Sequence, residues 1–153
     1  MRNGAYETDL PAIRGVIKAG QPVLPRDYLE AQAASDRPVK ITLPGPLTIM
    51  DTTADCHYND RNKLARDLAD ALNLEVLALA QARCQHIQVD EPIFARKPKD
   101  ALSFGIEALD RVFHGVSDNV VRTVHMCCGY PDRIDNPDYP RQITWFIMIL
   151  WKL

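Results

Sequence analysis

An α/β fold with parallel strands is predicted by three features of the sequence. Apolar stripes of helical period alternate with short runs rich in Val, Ile and Thr; proline or glycine closes those runs; and the connections between them are short. Taken in order, Ala12 to Ile17 reads as a first strand and Pro25 to Ser35 as a short helix. Val39 to Leu43 is the next strand, closed by Pro44, Gly45 and Pro46. Between Asp60 and Arg83 the residues Leu64, Leu68, Leu72, Val76 and Leu79 recur at spacings of four, four, four and three, one face of a helix. Asp60 is its N-cap, and Lys63, Arg66, Asp67 and Asp70 fall off the stripe. His86 to Glu91 follows almost without a loop and is a strand stopped by Pro92. Asp100 opens another helix with the stripe Leu102, Ile106, Leu109 and Phe113, ended near Gly115, and Val120 to His125 is the last strand. The alternation β-α-β-α-β-α-β is that of consecutive βαβ units in one domain.

Composition bounds the function. The chain has 153 residues, 46% hydrophobic and 25% charged, and 18 Lys and Arg oppose 20 Asp and Glu for a formal net charge of -2. Such a balance, without basic runs, provides no electrostatic footprint for nucleic acid or an anionic membrane, and neither is an expected partner. The first residues hold no apolar stretch of signal-peptide type, which leads to the expectation of a cytoplasmic protein. Cys56, Cys84, Cys127 and Cys128 then read as thiols rather than disulfides. Residues 1–140 form the expected domain. Residues 141–153 are an atypical apolar tail, whose run from Ile143 to Trp151 is far below the ~20 residues that span a bilayer, and are read as non-native, the alternative being a buried strand or short helix packed on the sheet.

In a parallel α/β sheet the carboxyl ends of the strands line the site. Here those ends carry Pro44-Gly45-Pro46, then Asp90-Glu91-Pro92, then His125-Met126-Cys127-Cys128. His125 and Cys127, two apart on a strand end, point to one side, and an imidazole with a thiolate suits tetrahedral zinc; the competing reading is a packed His beside a core Cys. Cys128 faces the other way and reads as a packed thiol. Of the adjacent carboxylates only one can face inward, and the alternation assigns Asp90 to that side and Glu91 to helix or loop partners. An inward carboxylate can grip an ammonium group, act as a base, or simply hold the strand end through an ion pair. Gly45 is either a place for close approach of a ligand to the backbone or part of a stiff turn. Cys56 and His57 read as an exposed loop pair, Cys84 and His86 as packing at the opposite end of their strand, and His114 as a favourable charge at a helix C-terminus.

Three segments together, VKITLPGPLT (Val39 to Thr48), IQVDEP (Ile87 to Pro92) and TVHMCCG (Thr123 to Gly129), resemble the catalytic domain of the cobalamin-independent methionine synthase family. The resemblance extends from about Pro38 to Tyr139. It implies a (β/α)8 TIM barrel, of which 153 residues are a partial, truncated version, because a closed barrel takes roughly 250. It also implies a zinc ion that binds the thiol of homocysteine, lowering its pKa so that the thiolate accepts a methyl group. On this resemblance His125 and Cys127 are two zinc ligands and Asp90 binds the amino group of homocysteine.

The departures from the family pattern concern the donor and the rest of the metal site. The later Glu and second Cys that complete the zinc site do not occur in the chain, and neither does a Gly-Ser-aromatic-Pro motif on the first strand. Where the family carries folate-contacting segments, this chain has Met50 to Thr53 and Ala95 to Pro98. The methyl donor is therefore 5-methyltetrahydrofolate or another compound. The alternatives are a catalytically inactive truncated fragment, or a related-barrel decarboxylase or thiol alkyltransferase.

Overall fold

A computed structural model describes residues 9–126. In chain order its elements are β1 (Ala12–Ile13), α1 (Leu24–Ala33), β2 (Lys40–Pro44), α2 (Pro46–Asp51), β3 (Ala54–Asp55), α3 (Arg61–Gln81) and β4 (His86–Asp90). Three helical pieces follow, α4 (Ile93–Arg96), α5 (Pro98–Asp100) and a π-helical turn (Ala101–Gly105), and then α6 (Ile106–Val112) and β5 (Val121–His125). The predicted α/β class holds: β2, β4 and β5 form a parallel sheet in the order β2-β4-β5, with helical segments between consecutive strands. The register places Pro44 level with Asp90 and Asp90 level with His125, so the three strands end together.

The two faces of this sheet differ in chemistry. Leu43, Ile87 and Val89 are buried, with Ile41 half-buried beside them, and they pack with Leu47, Leu64, Leu68, Val76, Leu79 and Phe94 into one core. The opposite face carries Lys40, Thr42 and Pro44 on β2, His86, Gln88 and Asp90 on β4, and Val121, Thr123 and His125 on β5, none of them buried. Period-two alternation sorts the residues this way, and a parallel strand in a closed barrel is covered on both sides. Here only the helix side is covered by the described residues.

The long helix α3 follows its sequence pattern. The Asp60 side chain accepts the Lys63 N–H at 3.1 Å, and Leu64, Leu68, Val76 and Leu79 are buried, with Leu72 half-buried. Helices α3 and α6 lie against each other. Arg111 donates to both carboxylate oxygens of Asp70, and the Asn73 side-chain amide donates to the carbonyls of Val112 and His114, which the end of α6 leaves without helical donors. Gly115, at φ +73°, supplies the left-handed residue that ends the segment as expected.

Two expectations need correction. The strand expected over Ala12 to Ile17 is only Ala12–Ile13, and it pairs in parallel with Ala54–Asp55, outside the main sheet. Beyond it the backbone is held by side chains instead: Tyr58 Oη accepts the Ile17 N–H at 2.7 Å while donating to Asp67, and Glu75 accepts the Val23 N–H. The helix expected to open at Asp100 is preceded by helical pieces from Ile93; of its expected stripe, Phe113 is buried and Ile106 and Leu109 pack against the core, but Leu102 is 45% exposed and its place in the core is taken by Ala101 and Phe104. The π turn at Ala101–Gly105 adds one residue, so the steady period that fits Ile106, Leu109 and Phe113 misplaces Leu102 ahead of it. Gly105 lets this turn close in: a Cβ there would lie 2.8 Å from Leu47 and 3.0 Å from Phe94.

Candidate functional site

The carboxyl ends of β2, β4 and β5 are tied into one rim by the main chain. Gly45 N–H donates to the Asp90 carbonyl and Glu91 N–H to the His125 carbonyl, each at 2.9 Å, so the ladder continues one residue past the strands. Consecutive carboxylates leave this rim in opposite directions. Asp90 lies on the open face, level with His125, and its Oδ1 accepts from Gln88 Nε2 at 2.7 Å. Gln88 Oε1 in turn accepts from Lys40 Nζ at 2.6 Å. His125 is exposed at the end of β5. Structure and alternation therefore agree that Asp90 points to the open face and Glu91 to the helical layer.

Glu91 is the feature that the sequence reading left without a role. Its side chain is fully buried, the one charged residue in the core among the described residues. Oε1 accepts the Leu47 N–H at 2.9 Å, and Oε2 accepts the Thr48 N–H at 3.0 Å and the Thr48 hydroxyl at 2.8 Å. A carboxylate from β4 thus caps the first turn of α2, where helical N–H groups have no partners of their own. Burial pushes the Glu91 carboxyl above its ordinary pKa, against the three donors, which pull it down. This decides the reading of Gly45: a Cβ at that position would collide with Glu91 Oε1, Cδ and Cγ. The space beside the Gly45 backbone is filled by a residue of this chain. The signal that could have shown it is a Glu at a strand end opposite a Gly-Pro helix start.

Other residues fall outside the rim. Cys84 is buried, its thiol is pushed up by burial, and it donates to the His86 carbonyl at 3.3 Å, as a packed thiol does. Cys56 is exposed in a loop whose turn is made by Asp55, which accepts the N–H groups of His57, Tyr58 and Asn59; those bonds hold the Asp55 carboxyl below its usual range. The Lys97 ammonium pairs with Asp51, so the two segments that depart from the family pattern, Met50 to Thr53 and Ala95 to Pro98, meet beyond the ends of β2 and β4.

Cys127 and Cys128 lie outside the described residues, as do residues 141–153. Among the described residues no group of three or more His, Cys, Asp or Glu is placed to hold a metal ion. His125 and Cys127 match zinc in donor type, but two donors are fewer than the three protein ligands a catalytic zinc keeps. Among the described residues, too, no helix is long and apolar enough to cross a membrane.

Residues 4–134 match the family described as cobalamin-independent synthase, catalytic domain. A methionine synthase of Saccharolobus solfataricus is 32% identical over 120 residues, which cover 78% of this chain and 35% of the relative. One from Saccharolobus islandicus is 36% identical over 91 residues, 60% of this chain and 26% of the relative. The chain thus spans about a third or less of these curated relatives. Among solved structures, a B12-independent methionine synthase from Shewanella sp. W3-18-1, in complex with selenomethionine, superposes with a TM-score of 0.74 at 35% identity, covering 79% of this chain and 35% of the other. A Listeria monocytogenes chain superposes at 0.68 with 20% identity over 76% of this chain and 40% of the other, a likeness of fold alone. The three-stranded sheet is accordingly part of a (β/α)8 barrel, and the chain belongs to the cobalamin-independent methionine synthase catalytic-domain family.

Proposed function

We propose that these residues form part of a zinc-dependent methyltransferase barrel that moves a methyl group onto the thiolate of homocysteine to give methionine. The observation that carries the reading is the pairing in register of Asp90 and His125 on the open face, at the carboxyl rim, in a chain of this family. Asp90 takes the α-amino group of homocysteine: its carboxylate stands on the open face, and an amino-acid ammonium needs such an acceptor. His125 and Cys127 serve as two of the zinc ligands, with the remaining ligands outside this chain. When bound there, zinc supplies the Lewis acidity that brings a thiol pKa down toward neutrality. The selenomethionine held by the Shewanella relative has the amino-acid backbone and thioether-like side chain of the product and supports the substrate class.

The donor is a methylated folate or a different methyl carrier; the Asp51 and Lys97 pair in place of the family's folate-contacting residues favours the latter. The free thiols Cys56 and Cys84 fit a reducing, cytoplasmic setting. A second reading, that this chain has no turnover by itself, is supported by the face of the sheet that no described residue covers and by Val121 and Val124, which among the described residues are exposed on β5.

The test is methyl transfer to homocysteine with a panel of donors, together with zinc stoichiometry on the purified chain. Methionine formation that is lost in Asp90→Asn, with zinc binding lost in His125→Ala and Cys127→Ala, is the expected result. Turnover only with another thiol would overturn the homocysteine assignment. Absence of turnover and of tight zinc in the wild-type chain would establish the second reading.

A further inference from the structure

The open face of the sheet is ordered in three layers by the register: Lys40, His86 and Val121 lowest, Thr42, Gln88 and Thr123 in the middle, and Pro44, Asp90 and His125 at the rim. One side chain from each layer joins a single hydrogen-bonded line, from Lys40 Nζ to Gln88 Oε1 at 2.6 Å and from Gln88 Nε2 to Asp90 Oδ1 at 2.7 Å. We propose that Gln88 is a positioning residue for Asp90 and that Lys40 selects the direction in which the Gln88 amide points. The inference rests on the reading of Asp90 as the group that takes the substrate's amino group.

The chemistry of the three groups permits one arrangement. An ammonium only donates and an ionised carboxylate only accepts, so the amide between them must offer its oxygen to Lys40 and its N–H to Asp90. Turning the amide over would set NH2 against ammonium and oxygen against carboxylate, replacing two charge-assisted bonds by two repulsive contacts. With its orientation so determined, the amide holds Oδ1, and among the described residues Oδ2 takes no hydrogen bond. Oδ2 is the acceptor left for an incoming ammonium. The positive charge of Lys40 also balances the negative charge of Asp90 through a polarised chain, without occupying the rim position where the ligand binds. The Thr42 and Thr123 neighbours of Gln88 in register are short, consistent with a long amide side chain running up toward the rim.

The experiment compares L-methionine with its des-amino analogue, 3-(methylthio)propanoate, by calorimetry on the full 153-residue chain. The ratio of the two affinities reads the contact to the ammonium alone. Wild type is expected to prefer methionine, and Gln88→Leu to lose about fivefold to tenfold of that preference with the analogue's affinity unchanged. Lys40→Met, a change at an exposed position that does not threaten folding, is expected to lose a smaller part and Lys40→Arg to restore it. The Gln88 side-chain amide proton resonances should move in Asp90→Asn and Lys40→Met and stay in place in Lys40→Arg. A role confined to folding would weaken both ligands together. Loss of preference in Asp90→Asn with full preference in Gln88→Leu and Lys40→Met overturns the inference alone. A wild-type chain that binds neither ligand, or prefers neither, overturns the assignment of Asp90 and this inference with it.

Discussion

Gly45 and Glu91 are mutually exclusive with any side chain at position 45: the carboxylate of Glu91 fills the space a Cβ would take and, from there, caps Leu47 and Thr48. Gly45→Ala must displace that carboxylate and leave buried donors unpaired. The expected cost is about 2–4 kcal/mol in urea unfolding. Gly15→Ala and Gly20→Ala, where nothing lies within 4 Å of the new methyl group, should change stability by less than about 0.5 kcal/mol. Equal effects at all three sites would contradict the clamp.

Glu91 should also leave a signature in the pH dependence of stability. Its folded-state pKa is raised above the ordinary glutamate value, chiefly by burial. A raised carboxyl pKa means that the folded state favours the protonated form. The contribution of this group is therefore complete below the unfolded value and is lost as pH rises through the folded value. Glu91→Gln cannot titrate. Whatever its constant offset, the wild type should lose stability relative to Glu91→Gln as pH is raised from 4 to 8, measured as the difference in urea midpoints. Parallel curves across that range would refute the raised pKa.

The π turn makes a prediction that a regular helix would not. Phe104 is 9% exposed and Leu102 is 45% exposed. Phe104→Ala should cost about 3–5 kcal/mol and Leu102→Ala less than about 0.5 kcal/mol. A steady helical stripe through Leu102 predicts the reverse order, so thermal unfolding of the two variants decides between them.

The two described thiols should separate under alkylation. Cys56 is exposed, whereas Cys84 is buried with its thiol raised by burial. Peptide mapping after iodoacetamide treatment of the native protein at neutral pH should find Cys56 modified and Cys84 protected until denaturant is added. Native-state labelling of Cys84 at a comparable rate would show that the sheet and α3 part readily.

The ion pairs on the surface of α3 are expected to matter little. Asp70 and Arg111 are 57% and 41% exposed, and Asp70→Asn should lower stability by no more than about 1 kcal/mol. Asn73→Ala, which removes both donors to the end of α6, should cost as much or more although no charge is involved. Chemical denaturation of the two variants side by side is the measurement.

Much of the architecture is local in origin and legible in the sequence. The stripe of α3, its Asp60 cap, Gly115 and the alternating residues of β4 each depend on neighbours within a few positions, and all were found where the pattern placed them. The extent of the first strand and the start of the helix near Asp100 are not legible locally, because both are set by distant contacts. Ile17 is held by Tyr58, 41 residues away, and the π turn forms where Gly105 meets Leu47 and Phe94.

By itself, the sequence determined the parallel α/β alternation, the family, and the collection of Pro44, Asp90 and His125 at the ends of strands, because strand period and motif order are properties of the chain. The role each carboxylate plays comes from packing between distant segments. Alternation alone sends Asp90 and Glu91 to opposite faces, but pairing in register set Asp90 level with His125, and the approach of α2 to the end of β4 made Glu91 a cap and Gly45 a necessity. Such contacts join residues more than 40 positions apart, and a hydrogen bond of that kind is specified by where the backbones are brought together in space.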